Sequence, residues 1–227
     1  MIRAGKEDDF DNIESWVSSE DDNGFCNNLS TINRGLSDLD EYGEEEEQYH
    51  SLVYEKDSNI IGYLVYRNMQ GSLCMHLEIC NIRQEYKGKG YGTELYNYFK
   101  DMLTKNKNTF KISLDAVNGS ETFWSMHGFN SESMFYLDSW ESNFMVDYIK
   151  PDAISVNKLE DGKRYRIEDS DNVVCDVEIT SNNYISEYKA EYFVKVLNGC
   201  DNAYGLMGGS EVYKFKKAFE YYIKEIT

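Results

Sequence analysis

Between Glu85 and Lys100 the chain reads EYKGKGYGTELYNYFK. Glycines 88, 90 and 92 run directly into helix-forming residues, in which Leu95, Tyr98, Phe99, Met102 and Leu103 recur at i, i+3, i+4, i+7 and i+8. Without a Cβ, glycine lets the backbone take positive φ and lets another molecule come close to the main chain. At a helix start the free N–H groups and the positive end of the helix dipole point the same way, so the usual ligand is a phosphate. A tight strand-to-helix turn would use the same glycines.

Two familiar phosphate loops do not fit. A P-loop needs GxxxxGK followed by Ser or Thr, and here Gly88–Lys89 is followed by glycine. The dinucleotide fingerprint GxGxxG is one residue longer than GKGYG.

The surrounding sequence predicts a mixed α/β first part. MIRAG is a short strand, and KEDDFDNIESWV carries Phe10, Ile13, Trp16 and Val17 at helical spacing. SLVYEKDSNIIGYLVYR holds two strand-like runs around a polar turn at Asp57–Asn59. LCMHLEICNI is a strand with His76, Glu78 and Cys80 on one face and Leu77 and Ile79 on the other. FKISLDAV and FMVDYIK are further strands. GSETFWSM is a short helix with Ser120 as its N-cap.

Pro151, the only proline, suggests a domain boundary. Residues 1–150 hold 27 acids against 13 Lys and Arg, and residues 151–227 hold 14 against 10. The second part reads as a small α+β unit: strands at KRYRIED and NVVCDVEIT, strand or helix at EYKAEYFVKVL, and a loop at NGCDNAYGLMGGS. It ends in a helix from about Val212 that presents Phe215, Phe219, Tyr222, Ile223 and Ile226.

The net charge of −18 repels phosphates and anionic lipids, which disfavours nucleic acid and membrane partners and favours cationic ones. Ten of the acids fall within the polar stretch Ser18–Gln48, which reads as a solvated loop with one short helix. Five scattered cysteines without a CxxC pair argue against a disulfide framework and a zinc site. Three dispersed histidines suggest no metal cluster. No apolar run is long enough to span a bilayer, and the charged start MIRAGKEDDF lacks a signal-peptide core, so a cytoplasmic location is expected.

The segment KGKGYG, Lys87 to Gly92, within NIRQEYKGKGYGTEL, resembles the acetyl-coenzyme A loop of the GNAT acetyltransferase superfamily, with Lys87 where Gln or Arg is usual. IRAGKEDDFDNI resembles that family's first strand and helix, DSNIIGYLVY its hairpin and third strand, and LDAVNGSETFWSMHGF its later strand, short helix and Gly-Phe. The likeness spans residues 1–150 and leaves 151–227 unassigned.

The resemblance implies a mixed central sheet flanked by helices and direct acetyl transfer from acetyl-coenzyme A to an amine, without a covalent enzyme intermediate. It implies that the diphosphate lies over the amides of Lys87, Gly88, Lys89, Gly90, Tyr91, Gly92 and Thr93, with the Thr93 hydroxyl as an extra donor. The pantetheine arm would run along Cys80, Asn81 and Ile82, with Asn118 in contact near it. Glu78 is the leading base and His76 the runner-up. The tyrosine that often protonates the departing thiolate is replaced by Trp124, leaving Ser125, Tyr136 or solvent. The expected acceptor is a polyamine, an aminoglycoside-like compound, or a lysine or N-terminus on a basic protein, and a homodimer is possible. The alternatives are an inactive coenzyme A-binding module, and an acidic protein that occupies a basic partner.

Overall fold

Two sheets account for most of the regular structure in the computed structural model. It describes residues 1–17, 28–37, 48–69, 73–106, 109–131, 143–169, 174–180, 184–185, 190–199, 212–215 and 221–227. Most of the acidic stretch, Tyr136, Phe219, Cys26 and Cys200 lie outside the described residues.

In the first sheet β1 (Ile2–Ala4), β2 (Tyr49–Lys56), β3 (Asn59–Met69) and β4 (Cys74–Ile82) are successive antiparallel neighbours. β5 (Lys111–Asp115) then pairs parallel to β4, and β7 (Phe144–Tyr148) and β6 (Asn130–Ser131) follow antiparallel. Asp57 and Ser58, at φ 50° and 62°, form the two-residue turn from β2 to β3. Two positive φ values in succession match the right-handed twist of the strands they join.

Helices α1 (Phe10–Val17) and α2 (Leu29–Leu36) cover one face of this sheet. Ile13, Trp16 and Val17 bury α1 against Val53, Tyr63, Val65 and Ile79. Asn28 caps α2, its side chain accepting from the Thr31 amide at 3.2 Å. On the other face α3 (Tyr91–Thr104) and α4 (Glu121–Met126) pack through Leu95, Tyr96, Phe99, Leu103 and Trp124.

The buried stripe of α3 differs from the predicted one, and Met102 in it is only partly buried. Tyr98 is 45% exposed and Tyr96 is buried instead. Tyr96 can be buried because its hydroxyl donates to Asp147 Oδ2 at 2.8 Å, so no polar group is stranded. Burial and the neighbouring Asp147 carboxylate hold its phenol far above its ordinary range.

The second sheet contains β8 (Arg164–Asp169), β9 (Val174–Ile179), β10 (Tyr184–Ile185), β11 (Ala190–Asn198), β12 (Val212–Phe215) and β13 (Tyr221–Ile226). Its order is β10-β11-β9-β8-β13, with β12 also on β11, and every pairing is antiparallel. Tyr165, Ile167, Val177, Ile179, Tyr192, Val194 and Ile223 form its buried face. Cross-strand pairs such as Arg166 to Asp176, at 2.7 and 2.9 Å, lace the other face. The Arg166 guanidinium holds the Asp176 carboxyl below its usual range.

Two expectations for the second part are overturned. No C-terminal helix begins at Val212, because residues 212–215 and 221–226 are strands. Tyr221 and Ile223 alternate inward against β8, a period of two carried by aromatic and β-branched residues. Cys175 is disulfide-bonded, a departure from the expectation of no disulfide framework, whereas Cys74 and Cys80 are free.

Tyr222 ties the two sheets together. Its ring lies 5.6 Å from that of Phe110, its hydroxyl donates to Asp152 at 2.7 Å, and the Ile154 amide donates to the Ile223 carbonyl at 2.8 Å.

Candidate active site

The parallel pairing of β4 with β5 stops at Leu77 and Leu114. Beyond that point β4 continues for five residues to Ile82, while β5 ends at Asp115. The strands part there, and a cleft of about 500 Å³ occupies the gap.

A bulge on β4 shapes the same point. Val65 pairs with Ile79 and Tyr66 with Leu77, so Glu78 is the extra residue. The bulge swaps faces: Leu77 and Cys80 both pack toward α3, and Ile79 packs toward α1 and α2. Cys80 therefore does not share a face with His76 and Glu78, as simple alternation predicts, because alternation assumes an unbroken period of two.

At the far end of the cleft lies the glycine loop. Gly88 and Gly90 have φ of 72° and 89°, and a Cβ on either would meet no protein atom within 4 Å. Their bareness therefore leaves space open toward the outside rather than toward the core. Gly92 is different, since a Cβ there would touch Ile82 and Phe123 at ordinary van der Waals distance. Gly90 is the N-cap of α3 and offers no side-chain acceptor. The first amide that the helix itself takes up is that of Glu94, which donates to the Gly90 carbonyl at 3.0 Å. The amides of residues 88–93 precede it at the positive end of the helix, where free amides suit a diphosphate, whereas the Lys87 amide, expected in the same set, donates to the Gln84 carbonyl at 3.2 Å.

Of the residues singled out in the sequence, Glu78, Cys80, Asn81, Ile82, Lys87, Gly88, Gly90, Gly92 and Thr93 line the cleft together. Lys89 turns back, its ammonium donating to the Glu85 carbonyl at 2.7 Å over the Tyr86 ring. The Tyr91 hydroxyl accepts from Lys56, and its ring sits edge-on to Tyr54. Asn118 lies outside the lining, its amide oxygen accepting from Asn143 at 3.2 Å.

His76 is buried behind Glu78. Its Nδ1 is 2.9 Å from Ser113 Oγ, and its Nε2 lies 3.8 Å from Asp115 Oδ2 and 4.0 Å from Glu78 Oε1. Two carboxylates on that side favour the neutral tautomer with hydrogen on Nε2, so Nδ1 accepts from Ser113. Burial lowers the imidazole's affinity for a second proton. Arg67, from the neighbouring β3, is ion-paired with Glu78 Oε1.

Trp124 lines the cleft wall and is buried among Tyr96, Phe123 and Phe129, with ring centroids 4.8 to 5.6 Å away. Ser120 stands at the start of α4, but its hydroxyl donates back to the Val117 carbonyl at 2.7 Å instead of accepting from the helix. Asp115, Tyr86 and Phe123 also line the cleft and were not anticipated. Asp115 carried a signal in its place at the end of the strand FKISLDAV. Among the described residues no cluster of His, Cys, Asp and Glu could hold a metal ion.

The family model for the acetyltransferase (GNAT) domain matches residues 23–140, over half of the sequence. The chain belongs to the GNAT acetyltransferase family. No curated protein matches it. Among solved structures, the loading GNATL domain of CurA from Lyngbya majuscula superposes with a TM-score of 0.52 at 12% identity, covering 66% of this chain and 97% of its own. The Escherichia coli GNAT N-acetyltransferase YhbS, solved in complex with CoA, gives 0.50 at 19% identity, covering 67% and 82%. The ribosomal-protein-S18-alanine N-acetyltransferase of Escherichia coli gives 0.50 at 14% identity, covering 70% and 98%. At these identities the likeness establishes the fold.

Proposed function

We propose that the protein transfers an acetyl group from acetyl-coenzyme A to a cationic amine. The observation that carries this reading is one continuous cleft with the amide-lined start of α3 at one end and Glu78 at the other.

Acetyl-coenzyme A supplies an acyl group already activated as a thioester. The main-chain amides from Gly88 to Thr93 hold its diphosphate, the Lys87 amide being given to the Gln84 carbonyl at 3.2 Å, and the Lys87 side chain adds positive charge at the mouth. The parted edge of β4 at Cys80, Asn81 and Ile82 offers main-chain groups along the cleft floor, where an amide can stabilise a developing oxyanion. Glu78 accepts the ammonium proton of the acceptor. His76 is the weaker candidate, because its Nε2 carries hydrogen toward the cleft and burial disfavours a second proton. Arg67 orients Glu78 through their ion pair. Glu78 and Asp115, within a chain of net charge −18, attract a cation.

Trp124 has no hydroxyl to give. A thiol with an ordinary pKa of about 8.5 leaves as thiolate with little help. The same observation favours a second reading, a coenzyme A-binding module without turnover. We assign the acetyltransferase unit to residues 1–150 and a partner-docking or self-association role to residues 151–227. Among the described residues no helix is long and apolar enough to cross a membrane.

The test is release of free thiol from acetyl-coenzyme A across polyamines, aminoglycosides and basic peptides. Release that depends on one amine class and falls in Glu78→Gln supports transfer. Saturable binding with no release for any amine supports the inactive module.

A further inference from the structure

His127 follows α4 directly, and its Nδ1 lies 2.7 Å from the Phe123 carbonyl, one turn back. A carbonyl oxygen only accepts, so Nδ1 carries a hydrogen in both charge states of the ring. In the neutral imidazole Nε2 is then bare. Thr93 Oγ1 stands 3.2 Å from it. The Thr93 hydroxyl has one hydrogen, and it donates that hydrogen to Nε2.

Thr93 lines the cleft beside Gly88, Gly90 and Gly92. With its hydrogen committed to His127, it turns lone pairs toward an anion. Protonation of His127 reverses the bond: Nε2–H now donates, Thr93 Oγ1 accepts, and the hydroxyl hydrogen is free for a phosphate oxygen. The same proton adds a positive charge beside the start of α3.

We infer that His127 is a positioning residue that decides whether Thr93 serves as a donor to the bound diphosphate, so that binding takes up a proton. This rests on the reading of the cleft as a coenzyme A site. The charged groups nearest the ring are already engaged with each other. Tyr96 stands edge-on at 5.3 Å with its hydroxyl given to Asp147, and Asp147 is itself paired with Lys100. Phe123 and Trp124, on α4, carry no charge. Among the described residues His127 makes no ion pair.

The probe is 3′-dephospho-coenzyme A, whose diphosphate stays ionised throughout and which lacks the phosphomonoester that would titrate in the same range. Calorimetric titrations from about pH 8 to about pH 5, where an imidazole changes charge, are run in two buffers of different ionisation enthalpy. Wild-type protein is expected to bind roughly tenfold more tightly at the acid end, the scale of one hydrogen bond to a charged group, with net proton uptake. His127→Gln loses the uptake and the pH slope while still binding. Thr93→Val loses most of the slope although His127 is intact. Absence of proton uptake in the wild type, or an unchanged slope in His127→Gln, overturns the inference while leaving the cofactor site standing. No binding at any pH overturns both.

Discussion

Leu77 on β4 and Leu114 on β5 form the last pair of the parallel seam, and both line the cleft that opens there. Both side chains are buried, 3% and 2% exposed, in the core under α3. The seam thus sets where the strands part and holds the two walls of the cleft at a defined separation.

Leu114→Ala is expected to destabilise the fold by about 2–5 kcal/mol, the usual cost of a buried leucine and its cavity. Val174→Ala, at an exposed position, is expected to stay within about 0.5 kcal/mol. Denaturant unfolding of the two variants checks this, and equal losses would contradict the role of the seam.

Glu78→Gln keeps the size of the side chain and removes its ability to take a proton. Turnover is expected to fall by about 10²–10³, within the span of general base catalysis, with acetyl-coenzyme A affinity unchanged. Steady-state kinetics with a responsive amine provide the measurement. Unchanged turnover would mean that the proton leaves by another route.

Trp124→Phe separates packing from chemistry. The indole packs on Tyr96, Phe123 and Phe129, so thermal unfolding is expected to shift down by about 1–3 kcal/mol of stability. Turnover is expected to stay within about threefold, since no proton is donated from this position. A larger fall at unchanged KM would give Trp124 a part in the chemistry.

His76 links stability to pH. Its folded affinity for a proton is lowered by burial, so below the ordinary imidazole value of about 6.5 the unfolded chain binds the proton that the folded chain refuses. Stability is therefore fully present above that value. It declines as pH falls from there toward the folded value, by at most about 1.4 kcal/mol per pH unit. In His76→Gln this part of the decline is expected to vanish. Denaturant midpoints between about pH 7 and about pH 5 read it directly, and an equal decline in the variant would rule it out.

Much of the first sheet is legible in the sequence, because its strands alternate cleanly, its helices carry clear apolar stripes and the Asp57–Ser58 turn is marked by polar residues. The bulge at Glu78 is not legible. One extra residue leaves no local mark, yet it moves Cys80 to the opposite face from Glu78. The burial of Tyr96 in place of Tyr98 is not legible either, because it depends on Asp147, 51 residues away. The last segment misled for a different reason. Its apolar residues fit a helical period as well as a strand, and only pairing with β8 decides between them. In the candidate site, the bare glycines mark a main-chain loop before a helix, but its bounds from Lys87 to Thr93 come from the resemblance to the acetyl-coenzyme A loop. Asp115 needed the seam to bring it beside Glu78 and His76.

The central claim is that bare main chain around Gly88 and Gly90 holds a diphosphate, and calorimetric titration of acetyl-coenzyme A into three proteins tests it most directly. Wild type is expected to bind saturably at one site. Gly92→Ala is expected to bind within a few-fold of it, because a Cβ there meets only ordinary contacts. Gly90→Val must force a branched side chain into φ 89° and crowd the open space, so its affinity is expected to drop at least about tenfold. Undiminished binding by a folded Gly90→Val protein, or no saturable binding by the wild type, would contradict the claim.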